Sequence, residues 1–142
     1  MTDDAHAVQE IPTRTSRYLL RRDGIVVQRL VSSRVQTLED ARENVAAYAA
    51  LAGGKKRLGL IDLRMPAPSE RGVREYYAGP EATRVCAALA LLVPSAAARI
   101  IGNLFLAIQA PTFPTRLFNT ELDAIAWLLK IAPAVGAHTE VP

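Results

Sequence analysis

Two segments constrain this chain more than any others: Leu58-Gly59-Leu60-Ile61-Asp62-Leu63 and Val85 to Val93, the first nearly and the second wholly free of polar side chains. An apolar run without alternation cannot form a strand that keeps one face in water. It needs cover on both sides, as an inner strand of a largely parallel sheet has. Around the two runs the apolar spacing changes to that of helices, and strands alternating with helices call for right-handed crossovers and parallel pairing. The two runs are therefore expected to lie side by side as inner strands.

The flanking residues fill in the order. Tyr18 to Arg22 and Ile25 to Val31 are short β-favouring runs separated by Asp23-Gly24, a strong hairpin signal. Thr37-Leu38-Glu39-Asp40 sets a hydroxyl at a helix N-cap with a carboxylate three residues on. Leu38, Ala41, Val45, Tyr48 and Leu51 or Ala52 then recur at helical spacing until Gly53-Gly54 stops the run. Pro66 and Pro68 force an extended loop, after which Ser69 is placed to cap a helix through Ala78. Gly79-Pro80 interrupts that helix, and a further turn is expected from Glu81 to Arg84. Pro94-Ser95 opens a helix to Gln109, Thr115 to Asn119 reads as a short edge strand, and Thr120-Glu121-Leu122-Asp123 starts a last helix through Ile131. Residues 1–15 and 133–142 read as loose tails around one domain, 16–132.

Half of the 142 residues are hydrophobic and 22% are charged, which suits one globular domain and excludes disorder for most of the length. Val85 to Ala110 is long enough to raise the question of a membrane span. Pro94 and Ser95 break it, however, and Arg99 would lie near the bilayer centre at a cost of roughly 2.5–3.5 kcal/mol, so no span is expected. Met1 to His6 has neither a basic nor an apolar signal region, and a cytoplasmic location is the expectation. One Cys excludes an internal disulfide, and two His are too few for an ordinary zinc site without carboxylate help. Neither a metal nor a cofactor is expected.

Glu75-Tyr76-Tyr77-Ala78-Gly79, Ile101-Gly102-Asn103-Leu104-Phe105-Leu106 and Phe113-Pro114-Thr115-Arg116-Leu117-Phe118, taken with the order of elements, resemble the bacterial STAS-like proteins related in fold to anti-sigma-factor antagonists. The resemblance covers roughly Arg17 to Ile131. It implies an α/β fold with a mixed, mostly parallel sheet of about five strands, an N-terminal hairpin and about four helices. It also implies a protein-binding module without catalytic machinery. Phosphorylatable antagonists carry an Asp-Ser-Ser/Thr-Gly-like motif where the helix after the central strand begins. The matching segment here is Pro68-Ser69-Glu70-Arg71-Gly72, so the resemblance makes Ser69 the phosphoacceptor counterpart. Pro68 stands where Asp would be, and Glu70 and Arg71 separate Ser69 from Gly72.

Asp62 interrupts an apolar strand near its C-terminal end, where open α/β sheets gather functional groups, and a buried carboxylate needs a partner such as Arg64, Arg71 or Arg74. Glu70 and Arg74 stand at the i,i+4 spacing of an exposed helix pair. Cys86 sits within an apolar run without a neighbouring base, which suggests an inert thiol. Arg14, Arg17, Arg21, Arg22, Arg29 and Arg34 have only Asp23 as a local counter-charge. With Tyr18 alone interleaved they make no stacking platform for nucleic acid, and the charges read as protection of an edge hairpin. From Ser95 to Gln109 apolar residues spread around most of the helix, beyond the stripe one sheet face can absorb. Either the helix is deeply buried under the Pro111–Pro114 loop and the last helix, or Ile101, Phe105 and Phe113 belong to an interface, of which a homodimer is the simplest form.

The expected function is therefore non-catalytic binding of a protein partner, with Ser69, Arg71, Arg74 and Asp62 as the candidate partner-binding or phosphoacceptor group. The alternative is a binding module for a lipid or other hydrophobic small molecule, with the apolar helix and the Phe113–Phe118 segment lining its pocket.

Overall fold

A computed structural model describes residues 4–109 and 111–142. Six strands form one sheet in sequence order: β1 (Ala7–Pro12), β2 (Ser16–Arg21), β3 (Val26–Leu30), β4 (Arg57–Asp62), β5 (Cys86–Leu92) and β6 (Thr115–Phe118). The first two pairings are antiparallel, and β3 through β6 run parallel. The two apolar runs are thus parallel neighbours, Leu60 beside Ala90, with strands on either side. Among the described residues five α-helices accompany them: α1 (Leu38–Ala52), α2 (Val73–Tyr77), α3 (Pro80–Val85), α4 (Ala96–Gln109) and α5 (Glu121–Ile131).

Helices cover both faces. Ala47, Tyr48 and Leu51 of α1 pack on Tyr18, Leu20 and Val26, while Ala124 and Leu128 of α5 pack on Leu58, Leu60, Ala90 and Leu92 from the other side. Local chemistry fixes the helix starts. The Thr37 hydroxyl accepts from the Asp40 amide and the Asp40 carboxylate accepts from the Thr37 amide, a full capping box, and Gly53 closes α1 at φ 64° in the left-handed region. Thr120 caps α5 through the Asp123 amide. At the hairpin Gly24 takes φ 86°, and the turn closes through Gly24 N–H to the Arg21 carbonyl and Arg21 N–H to the Ile25 carbonyl. That is a three-residue loop with glycine where a left-handed residue is required.

Three expectations change. Residues 7–12, read within a loose tail, form β1, so the β2–β3 hairpin is inside the sheet and not at its edge. An edge strand needs little apolar content: Val8 and Ile11 supply it, packing against the α1-side core. The last ten residues also pack, with His138 N–H donating to the Lys56 carbonyl, the Arg57 guanidinium donating to the His138 carbonyl at 3.2 Å, and Val141 against the core. Lastly, no helix starts at Ser69. Residues 68–70 run extended beside Gln36, with Gln36 N–H to the Pro68 carbonyl and Glu70 N–H to the Gln36 carbonyl, and α2 begins only after Gly72 at φ 92°. The main chain there pairs with the α1 entry, which offers more hydrogen bonds than a proline-bounded first turn.

Candidate functional site

β4 and β5 alternate cleanly on leaving the core. Leu58, Leu60 and Asp62 face α5, and Ile61 and Leu63 face the side of α1. On that second side α1, α2 and α3 cover β2 through part of β5, with Leu89 packed at the margin of the α1-side cluster and Leu91 and Thr115 beyond it. The result is a cavity of about 810 Å³. Its floor is Tyr18, Gln28, Ile61, Leu89 and Leu91; its walls come from Val45 and Tyr48 of α1 and Val73, Tyr77 and Val85 of α2 and α3. Ser69, Arg74, Pro111 and Phe113 stand around it.

A polar network holds the roof. The Tyr77 hydroxyl donates to Gln36 Oε1 at 2.9 Å and accepts from Asn44 Nδ2 at 3.0 Å, while Asn44 accepts from the Thr13 hydroxyl at 2.7 Å and donates to Thr15 Oγ1. Asn44 is fully buried, so these bonds hold α1, α2 and the β1–β2 turn in one arrangement. On the floor Gln28 Nε2 donates to Ser16 Oγ at 2.7 Å, and Gln28 Oε1 finds no donor.

α4 reaches back along the outer edge of β6. Asn103 accepts from the Leu117 amide at 2.8 Å and donates to its carbonyl at 3.2 Å, occupying edge groups that a further strand would otherwise bind. Gly102 sits directly on the Leu117 side chain, which any Cβ there would run into. These two contacts fix the rotation of the helix, and its most apolar stripe consequently points away from the molecule. Ile100, Ile101, Leu104, Phe105 and Ile108 are 55–80% exposed.

The nominated residues divide between the two faces. Ser69, Arg71 and Arg74 share one shallow depression, all exposed, and Ser69 and Arg74 also border the cavity. Asp62 is not with them. It lies across the sheet against Arg64 at 2.7 Å and Arg29 at 3.1 Å, and Arg29 also reaches Glu121 at 2.6 Å and Asp4 at 3.3 Å. Burial would raise the Asp62 pKa, but the Arg64 hydrogen bonds outweigh it and hold the carboxyl below its ordinary range. Of the arginines expected to partner Asp62, Arg64 does so and Arg71 and Arg74 do not.

Ser69 loses its expected capping role, and with it the helix start that was to favour a phosphate. The Glu70 carboxylate accepts from the Leu38 amide at 2.8 Å, so it caps α1 instead of pairing with Arg74. Phe113 is half-buried at the cavity, apart from the α4 stripe that carries Ile101 and Phe105. The stripe is not buried beneath the Pro111–Pro114 loop.

Residues the sequence reading passed over are Gln28, Asn44 and Tyr77. A signal for two of them exists: Gln28 follows the apolar run Ile25-Val26-Val27 on the same strand face as Val26, and Asn44 falls on the α1 face defined by Ala41, Val45 and Tyr48. The arginines also find distant acids, with Arg17 on Glu10 at 2.8 Å and Arg14 on Asp40 at 2.7 Å. Cys86 is buried, which pushes its thiol up to about 12, so it stays protonated and unreactive at neutral pH. Among the described residues no three His, Cys, Asp or Glu side chains gather as metal ligands, and no helix is long and apolar enough to cross a membrane.

The family model described as "Domain of unknown function (DUF7793)" matches residues 18–132, and the chain belongs to that family. It is similar in structure to an uncharacterized protein of the DUF3478 family with a SpoIIAA-like fold from Shewanella loihica PV-4. The TM-score is 0.53 at 17% identity, covering 90% of this chain and 98% of that one. A protein with unknown function from Arthrobacter sp. FB24 is 29% identical over 84% of this chain and 96% of that one, with a TM-score of 0.33. No curated protein matches significantly. The SpoIIAA-like fold of the Shewanella protein agrees with the STAS-like architecture expected from the sequence.

Proposed function

We propose that this member of the DUF7793 family is a non-catalytic association module that pairs with a second copy of itself through α4. One observation carries the reading: α4 turns its small and polar residues, Gly102 and Asn103, toward its own domain and its largest apolar residues outward. An ordinary surface helix does the reverse. The rotation is set by a steric contact and two hydrogen bonds, so turning the stripe inward would break both.

The five side chains expose on the order of 600 Å², at the upper end of what a monomer leaves bare and near the roughly 800 Å² each partner gives to a standard interface. A second copy is the natural occupant, because an isologous contact lets one stripe cover an identical one without any second surface. The stripe itself carries no charge, so two copies can approach about a two-fold axis without like-charge repulsion at its centre.

Sedimentation velocity tests this directly. The wild type is expected to sediment as a dimer at micromolar concentration. The double variant Leu104→Asp, Phe105→Asp is expected to be a monomer with an unchanged far-ultraviolet circular dichroism spectrum. A wild type that stays monomeric at 100 µM (about the Kd of a weak contact) removes the proposal.

A further inference from the structure

We infer that two copies of α4 pair antiparallel, with Ala97 of one copy set against the partner's Ile108, so that the dimer faces partners at both of its ends. The inference rests on association through α4 and adds the geometry of the pair.

The residues along the middle of the outward stripe are Ala97, Ile101, Leu104 and Ile108, all exposed. Their spacing of four, three and four residues is the seam of two helices crossing at about 20°. On the opposite side of α4, Gly102 and Asn103 are fixed against Leu117, so the seam keeps its outward direction. The side chains along the seam differ in size. A methyl group stands in the first turn, and three large aliphatic groups follow it.

That inequality separates the two ways of pairing. In a parallel pair every residue meets its own copy, so Ala97 would face the partner's Ala97 and leave a void at one end. In an antiparallel pair Ala97 lies under the partner's Ile108, and Ile101 lies against the partner's Leu104. Four layers of similar content result, and a close-packed interface penalises both gaps and crowding. Leu104 is the one Leu of the seam, so the repeated Ile and Leu layers that favour parallel pairs in long coiled coils are not built here. Helix dipoles act in the same sense, because each N-terminus then lies beside the C-terminus of the other copy.

The pairing decides what the dimer can join. α4 returns between the parallel strands β5 and β6 and therefore runs opposite to them. Antiparallel helices set the strands of the two sheets in opposite directions. The depression lined by Ser69, Arg71 and Arg74 follows the C-terminal end of β4, so its two copies lie at opposite ends of the dimer. Partners held there are joined two to a dimer. A parallel pair would turn both depressions to the same end.

Disulfide trapping in the full chain tests the pairing, with Ala97→Cys and Ile108→Cys made as separate variants. Cys86 is buried and does not compete. An equimolar mixture of the two is expected to form a cross-linked dimer on oxidation, and neither variant alone is. Like positions would lie about 16 Å apart along the axis, whereas a disulfide joins Cα atoms about 4.4–6.8 Å apart. Cross-linking of Ile108→Cys alone, in a protein that sediments as a dimer, overturns the antiparallel pair and leaves the association standing. A monomeric wild type overturns the association itself. A second measurement needs no substitution: isotope-filtered NOE spectra of wild type mixed from ¹³C-labelled and unlabelled protein. Contacts from the Ala97 methyl to the methyls of the partner's Ile108 are expected. Contacts between Ile108 and the partner's Ile108, or a dimer without any intermolecular contact from α4, overturn the inference.

Discussion

Asp40 does three jobs at one position. It closes the capping box of α1, accepts two hydrogen bonds from Arg14 at 2.7 Å, and sits almost fully buried. The Arg14 hydrogen bonds, against the opposing pull of burial and aided by Thr37, hold its carboxyl well below the usual carboxylate range. The folded-state pKa is thus below that of the unfolded chain, about 3.9. The stability it contributes is complete above that value and drains away as the pH falls below about 4 toward the folded pKa. Asp40→Ala should therefore cost about 1 kcal/mol or more at pH 7, the scale of a lost cap. In urea titrations the gap between wild type and variant should narrow at pH 3, and a gap independent of pH would sink the assignment. Thr37 and Asp40 were readable as a cap from their three-residue spacing. Arg14 as the partner was not, because 26 positions separate it from Asp40.

At the scale of elements the orientation of α4 decides the outer surface. Asn103 bonds both edge groups of Leu117, so Asn103→Ala loses two hydrogen bonds worth roughly 0.5–1.5 kcal/mol each. The loss is local. Exchange of the Leu117 amide should accelerate at least about tenfold, the equivalent of 1.4 kcal/mol, while the amides of Leu60 and Ala90 in the inner strands keep their protection. Unchanged exchange at Leu117 would mean that α4 is held by something other than this contact. The excess of apolar residues around α4 is legible in the sequence. Which of them face out is not, since periodicity shows a stripe's width and leaves its direction to whatever the helix packs on. Gly102 and Asn103 set that direction here, through a strand that follows them by about a dozen residues. The short helix α2 teaches the converse: Ser69 has the chemistry of a cap, and the main chain of Gln36 outbid it.

Across the whole molecule the chain ends bind the sheet together. β1 pairs with β2 on one border, and the C-terminal residues return to the hairpin, where a Cβ on Gly24 would fall 2.6 Å from the Thr139 backbone. Truncation after Gly136 removes the burial of Val141 and both His138 contacts. It should cost about 1–3 kcal/mol and lower Tm by roughly 3–10 °C. A truncated chain that melts with the wild type would show these residues to be loosely attached after all. Neither end announces itself in the sequence, because a strand or strap that borrows its cover from a finished core needs only one or two apolar side chains. By contrast, the adjacency of the apolar runs Leu58–Leu63 and Val85–Val93 as strands, the helix starts at Thr37 and Thr120 and the α/β class all follow from the sequence alone, since local spacing and uninterrupted apolarity admit few other solutions. Tertiary structure alone decided that Asp62 and Ser69 lie on opposite faces, that Gln28 borders a cavity, and that α4 shows its apolar side to the outside. Each of these depends on which distant residue arrives next to which, and contacts of that kind leave no period in the chain.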